Sequence, residues 1–245
     1  MICVHICSKA EWNSIKQILD IEQEKINRYP LGEYFQQKLH DTNCIFYHSG
    51  ATKTRAAAAC QYAIDNWKPE IIFVLGTCGG VAHHLKIFDI VIANKTVQYD
   101  CIDRMSGDHS MFYEPMTTEL DNSWIDFDRL EEKFFQGIIA TADQDINYQT
   151  LQLLRKADVL CADWESGAIA HICASNKVKC CIVRGITDIP RDDGENSILD
   201  QGQDYHKNTP LVMKKIIDTM LPLLTQSAGC VLQMNKSAEF PRGDR

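Results

Sequence analysis

Ile71-Ile72-Phe73-Val74-Leu75-Gly76-Thr77-Cys78-Gly79-Gly80 decides the fold. An unbroken apolar run of this length is what a strand needs when both of its faces are buried. Such strands belong to parallel sheets covered by helices on both sides. The run ends in a glycine-rich segment. Glycines there let the backbone pass close to a ligand and expose its N–H groups, although a tight strand-to-loop turn uses the same residues. The spacing is neither that of a P-loop nor that of a dinucleotide fingerprint.

Outward from this strand, helix and strand signals alternate. Upstream lie an alanine-rich helix from Arg55 to Asn66, a strand at Cys44-Ile45-Phe46-Tyr47, a helix from Ala10 to Leu19, and an alternating strand at Ile2, Val4 and Ile6. Downstream come strands at Ile90-Val91-Ile92-Ala93, Gly137 to Thr141, Val159 to Ala162 and Lys179 to Val183. Helices are expected over Tyr148 to Lys156, Glu165 to Ser175 and Leu211 to Leu224. Residues 101–131 are polar and irregular, and the chain after Ser227 shows no periodicity. The expectation is a single α/β domain over residues 1–226, a mostly parallel mixed central sheet flanked by helices, with a loosely ordered tail over 227–245.

Composition agrees with a globular chain: 245 residues, 45% hydrophobic and 24% charged, long enough for one large core. The net charge of −8 argues against a nucleic-acid partner, for which a clustered basic excess is the usual footprint. No apolar run approaches the roughly 20 residues of a membrane span. The 11 cysteines have no CxxC spacing, and the first residues do not read as a signal peptide. Free thiols without an export signal predict a cytoplasmic protein. No metal site and no cofactor are expected; His83-His84 reads as a solvated pair.

In open α/β sheets, ligands bind beyond the carboxyl ends of the strands. Residues following the apolar runs are therefore the informative ones. Taken singly, each has an ordinary structural reading. Glu11 and Glu165 fit acids of a first helical turn, and Asp188 fits a turn cap before Pro190 with Arg184 as its ion partner.

Four blocks in this order resemble the nucleoside phosphorylase superfamily, and most closely its methylthioadenosine / S-adenosylhomocysteine nucleosidase branch. They are His48-Ser49-Gly50-Ala51-Thr52-Lys53 before the alanine helix; Gly76-Thr77-Cys78-Gly79-Gly80 with Asp89-Ile90-Val91; Asp163-Trp164-Glu165-Ser166-Gly167-Ala168-Ile169-Ala170; and Arg184-Gly185-Ile186-Thr187-Asp188. The resemblance runs from about Ile2 to about Leu224. It implies cleavage of a purine–ribose bond. Asp188 would protonate or hydrogen-bond the departing base, Glu165 would bind the ribose hydroxyls, and Glu11 would position the attacking water. Thr77 and Ser49 would line the ribose end, with Gly79, Trp164, Asp145, Ile146 and Arg184 completing the substrate site. The implied partner is a small-molecule nucleoside, with no nucleic acid and no membrane. The implied assembly is a homodimer or larger homo-oligomer, with 101–131 as the candidate interface.

The chain departs from the family pattern in places. Where phosphorylases of the superfamily carry a phosphate-binding arginine two residues before the loop glycine, this chain has Val74, which favours water as nucleophile. Lys53 and Arg55 keep a phosphorylase open, and Lys9 keeps a nucleotide substrate open. The family's Ala-Met-x-x-Glu is replaced by Cys7-Ser8-Lys9-Ala10-Glu11. Where the family stacks an aromatic on adenine, the chain has Asp145, a hydrogen-bond acceptor. Trp164 replaces the family methionine and offers a stacking surface. A catalytically idle nucleoside binder is the third alternative.

Overall fold

The computed structural model describes residues 1–39, 42–105, 112–190 and 198–238, with the backbone course alone for 198–201 and 233–238. The strands are β1 (Ile2–Ile6), β2 (Asn27–Tyr29), β3 (Gly32–Leu39), β4 (Thr42–His48), β5 (Ile71–Gly80), β6 (Ile90–Gln98), β7 (Thr117–Glu119), β8 (Phe134–Thr141), β9 (Val159–Asp163) and β10 (Lys179–Asp188). The helices are α1 (Lys9–Ile18), α2 (Lys53–Trp67), α3 (Tyr148–Lys156), α4 (Ser166–Ser175), α5 (Ile198–Lys215) and α6 (Leu221–Ala238).

All ten strands join one sheet. Two parallel blocks form its centre: β4-β1-β5-β10 and β6-β8-β9. Antiparallel pairings of β10 with β6 and of β5 with β9 join the blocks, so that β5, β10, β6, β8 and β9 close into a ring. The β2–β3 hairpin extends the open side beyond β4. The sheet is therefore mixed, with its parallel pairings central.

The period of two along each strand sorts the core into two layers. Ile2, Val4 and Ile6 of β1 and Ile71, Phe73 and Leu75 of β5 face Trp12 and Ile15 of α1, Val212 and Met213 of α5 and Leu224 of α6. Cys3, Cys7, Ile72 and Val74 face Ala56, Ala59 and Ala63 of α2 and Ile169 and Ala170 of α4. The small α2 side chains let that helix lie close to the sheet. A third cluster, with Leu151 and Leu154, seats α3 on β8 and β9.

Three sequence expectations need correction. Residues 27–39 form a hairpin that the pattern did not reveal, because only Phe35 of β3 is fully buried and its neighbours alternate weakly. Helix α5 begins at Ile198 rather than 211 and carries Pro210 inside it. The carbonyl that this proline leaves without its helical partner belongs to His206, an exposed residue. The chain from Leu221 to Ala238 is helical where a loose tail was expected after residue 226. Leu224, Ala228, Val231 and Leu232 recur at helical spacing and pack on the core. Residues 239–245 lie outside the described residues, as do 106–111 within the segment expected to be irregular. The rest of that segment holds β7 and two short 3-10 turns. Among the described residues no helix is long and apolar enough to cross a membrane. All eleven cysteines are unbonded.

Candidate active site

The carboxyl ends of β1, β5, β8, β9 and β10 open onto one cavity of about 400 Å³. Its wall includes Glu11, Thr77, Gly79, Asp145, Ile146, Trp164, Glu165 and Asp188, eight of the residues singled out from the sequence.

Ser8 caps α1 and forms a capping box with Glu11, its side chain accepting from the Glu11 N–H at 3.1 Å. In return Glu11 Oε2 accepts the Ser8 N–H at 2.8 Å. The other oxygen, Oε1, accepts the Thr77 N–H at 2.6 Å and the Thr77 hydroxyl at 2.8 Å. Glu11 is thus both a first-turn acid and a wall of the cavity. The two readings of this residue coincide, because its second oxygen reaches across to β5.

Beneath the floor lies Arg184, with no exposed surface. Its Nε sits 2.7 Å from Asp163 Oδ2 and 3.0 Å from Ser166 Oγ. Its Nη1 is 3.9 Å from Glu11 Oε1 and its Nη2 3.7 Å from Glu165 Oε2. One guanidinium therefore faces three carboxylates. Burial opposes its charge, and Asp163, Glu11 and Glu165 outweigh that, holding the proton more tightly than usual. Gly76 makes the arrangement possible. A Cβ there would stand 2.0 Å from Arg184 Nη1 and 2.7 Å from Glu11 Oε1.

Asp163, at the end of β9, is a hub to which the sequence assigned no role of its own. Its oxygens accept from Thr141 Oγ1 at 2.7 Å, from the N–H groups of Glu165 and Ser166 at 3.2 and 3.1 Å, and from the Ser166 hydroxyl. It thereby pins the start of α4, while Glu165 takes the Thr52 N–H at 3.2 Å. Burial, then Asp163, push the Glu165 carboxyl up to about 8 against the pull of Arg184.

Asp188 closes β10 after a register shift opposite Gly79. A Cβ on Gly79 would lie 3.2 Å from Asp188 Oδ2 and 3.9 Å from Ile146 Cδ1, so a glycine keeps this end of the cavity wide. The Thr187 hydroxyl donates to Asp188 Oδ1 at 2.7 Å. Burial raises the Asp188 carboxyl to about 6, and the charges of Asp204 and Asp145 add to the rise. Asp145 itself is exposed on the loop after β8.

Two expected wall residues sit elsewhere. Arg184 lies below the floor, as described. Ser49 is fully buried, its hydroxyl donating to the Gly50 carbonyl at 2.9 Å, and the neighbouring Ala51 takes its place at the wall. The chain turns sharply there, with positive φ at Gly50 and Thr52, which carries Ser49 behind the surface. Ser8, Gln144 and Thr187 line the cavity from stretches that follow apolar runs, though the sequence assigned them no role, and Tyr99, Gly202 and Tyr205 line it from outside those stretches. Ser8 also carries the Ser-x-x-Glu of a capping box.

The two nearby cations are engaged. Lys53 pairs with Asp100, whose other oxygen accepts the Asp143 N–H at 3.1 Å. Arg55 donates through Nε to the Ser49 carbonyl at 2.9 Å. Val74 is buried in the core. Among the described lining residues five are carboxylates, Glu11, Asp145, Asp163, Glu165 and Asp188, and none is basic.

The profile of the phosphorylase superfamily matches residues 8–221. The chain belongs to the phosphorylase superfamily. Within it, the chain is similar to the 5′-methylthioadenosine/S-adenosylhomocysteine nucleosidase of Actinobacillus succinogenes, 27% identical over 203 residues, which cover 78% of this chain and 85% of that one. Solved members share the fold. The S-adenosylhomocysteine nucleosidase of Streptococcus pyogenes, in complex with 5-methylthiotubericidin, matches with a TM-score of 0.75 at 20% identity, covering 90% and 95% of the two chains. A futalosine hydrolase mutant of Helicobacter pylori matches at 0.74 and 19%, covering 90% and 97%.

Proposed function

We propose that this superfamily member hydrolyses the N-glycosidic bond of a purine nucleoside, of the methylthioadenosine, S-adenosylhomocysteine or adenosine kind, releasing free base. One observation carries the choice of water over phosphate: the described wall holds five carboxylates and no basic side chain. A phosphate dianion would find no basic side chain on that wall to hold it, whereas water needs only an acceptor to orient it. Both cations that kept a phosphorylase open are engaged elsewhere, Lys53 by Asp100 and Arg55 by the Ser49 carbonyl. The same lack of a basic side chain disfavours a nucleotide, and Lys9 is exposed outside the wall.

The departing purine is a poor anion, so a proton must reach it. Asp188 is suited to deliver one: burial raises its carboxyl to about 6, so it keeps a proton at pH values where an ordinary carboxyl has lost it, and its Oδ2 borders the cavity beside Gly79. As the bond lengthens the ribose gains positive charge. Glu11, fixed by backbone and side-chain donors, faces that charge without having to reorganise, and Glu165, held by the Thr52 N–H, offers oxygens to the sugar. Glu165 would grip the ribose hydroxyls, and Glu11 would take a proton from the attacking water. Asp145 would accept a hydrogen bond from a ring N–H or amino group of the base, while Trp164 offers it a face. The chain would work in the cytoplasm as a homodimer or larger assembly, for which exposed Ile102 and Met105 mark a candidate contact. A monomer at micromolar concentration would count against that.

The test is base release from a panel of purine nucleosides, quantified by chromatography with and without phosphate. Release at equal rates in both supports hydrolysis. Strict phosphate dependence with ribose 1-phosphate formed would replace it with phosphorolysis, and tight binding without release would leave a binding protein.

A further inference from the structure

We infer that the sugar side of the cavity is built for a nucleoside with an oxygen on C5′, because Ser8 and Tyr205 together hold one spare hydroxyl proton at its wall. The inference rests on the hydrolase reading and narrows its substrate.

A proton count carries it. The Tyr205 hydroxyl donates to Ser8 Oγ at 2.7 Å. Ser8 Oγ also accepts the Glu11 N–H at 3.1 Å. Both acceptor positions of that oxygen are then filled, and among the described residues nothing accepts its own proton. In this arrangement the pair carries one spare donor, the Ser8 hydroxyl proton, and both residues line the cavity.

Position points to the sugar's free arm. With the base against Asp188, Gly79 and Ile146, and the ring hydroxyls on Glu165, the part of the nucleoside left to meet the wall between α1 and α5 is C5′. The surroundings there are Glu11, Thr77, Gly202 and Tyr205. The one large aliphatic side chain among the described lining residues, Ile146, lies at the base side. An alkylthio group would therefore meet no large aliphatic side chain among these residues and would leave the spare donor facing sulfur, a poor acceptor. A 5′-hydroxyl accepts it. Ser8 is half-buried, so water partly replaces a missing partner, and the discrimination should be about tenfold to hundredfold.

The experiment compares kcat/KM for adenosine and 5′-methylthioadenosine, and for inosine and 5′-methylthioinosine, in the wild type and three variants. The expected wild-type ratio favours the 5′-hydroxyl about tenfold or more. Tyr205→Phe leaves the Ser8 proton and Ser8→Asn leaves an amide donor on a good helix cap, so each keeps the preference. Ser8→Ala combined with Tyr205→Phe removes both hydroxyls and brings the ratio near one; a melting curve checks that this variant is folded. A wild type that prefers the 5′-methylthio sugars overturns the inference, as does a double variant with an unchanged ratio, even if hydrolysis itself stands. If no nucleoside releases base, the hydrolase reading fails. The ratio is then read from calorimetric binding of the same pairs, where equal affinities overturn the inference separately.

Discussion

Replacing Asp188 with asparagine should abolish most of the activity and yet make the protein more stable. The carboxyl is largely buried, and its proton affinity is raised from 3.8 to about 6. Each factor of ten in proton affinity is worth about 1.4 kcal/mol, so keeping the group ionised in the fold above pH 7 costs about 3 kcal/mol. The folded state holds the proton where the unfolded chain has lost it, between pH 3.8 and about 6. Stability from this group is therefore complete below that window and is lost as pH rises through it. Asparagine keeps the shape and still accepts from Thr187, but it is never charged. Its advantage over the wild type should grow from about 1.5 kcal/mol at pH 5 to about 3 kcal/mol at pH 7.5, and then level off. In a chain of this size the higher figure corresponds to roughly 6–12 °C in melting temperature. Thermal melts of both proteins across pH 5 to 8 measure it, alongside base release, which should fall about 10²–10⁴-fold. An equal gain at every pH, or none, would refute the claim that the ionised carboxylate is held at a cost.

Other expectations follow from the same geometry. Base release should decline as pH rises above about 6 while Asp188 loses its proton, read from a pH–rate profile in kcat/KM. Gly76→Ala would force a Cβ to within 2.0 Å of Arg184, so it should lose soluble folded protein or melt far below the wild type. Arg184→Met would leave Glu11, Asp163 and Glu165 buried without a cation, a loss of about 3–5 kcal/mol in denaturant titration, largest at high pH. Truncation after residue 226 would remove Ala228, Val231 and Leu232 from the core, costing about 2–4 kcal/mol by the same assay.

What the sequence revealed and what it hid differ in kind. Strand β5 was legible because burial on both faces leaves only apolar side chains, and β1 because its two faces meet two helix layers. Hairpin residues 27–39 were not, since an edge strand with one fully buried side chain carries little pattern. Tyr205 was missed because the last helix was expected only from Leu211, and α5 begins at Ile198. Glu11, Glu165 and Asp188 stood out as acids placed after strands. Their dependence on Arg184 and Asp163 could not be read from spacing, because the hub joins residues from α1, the end of β9 and β10 that are distant in the chain. Ser49 shows the opposite error: a motif position can be right while the local turn carries its side chain behind the wall.

The closed ring of β5, β10, β6, β8 and β9 has no end from which to unzip. Each of its strands stays joined to one neighbour when the other pairing opens, so amide hydrogens along Ile71–Gly80 and Lys179–Asp188 should exchange with solvent only when the whole molecule opens. The ring also sets an order of assembly. During synthesis, the strand at 71–80 emerges roughly a hundred residues before 179–188, the segment that must slot between it and β6. Until then Asp188 has not been made and the carboxylates already synthesised lack their arginine, so the chemistry and the closure of the sheet arrive in the same step.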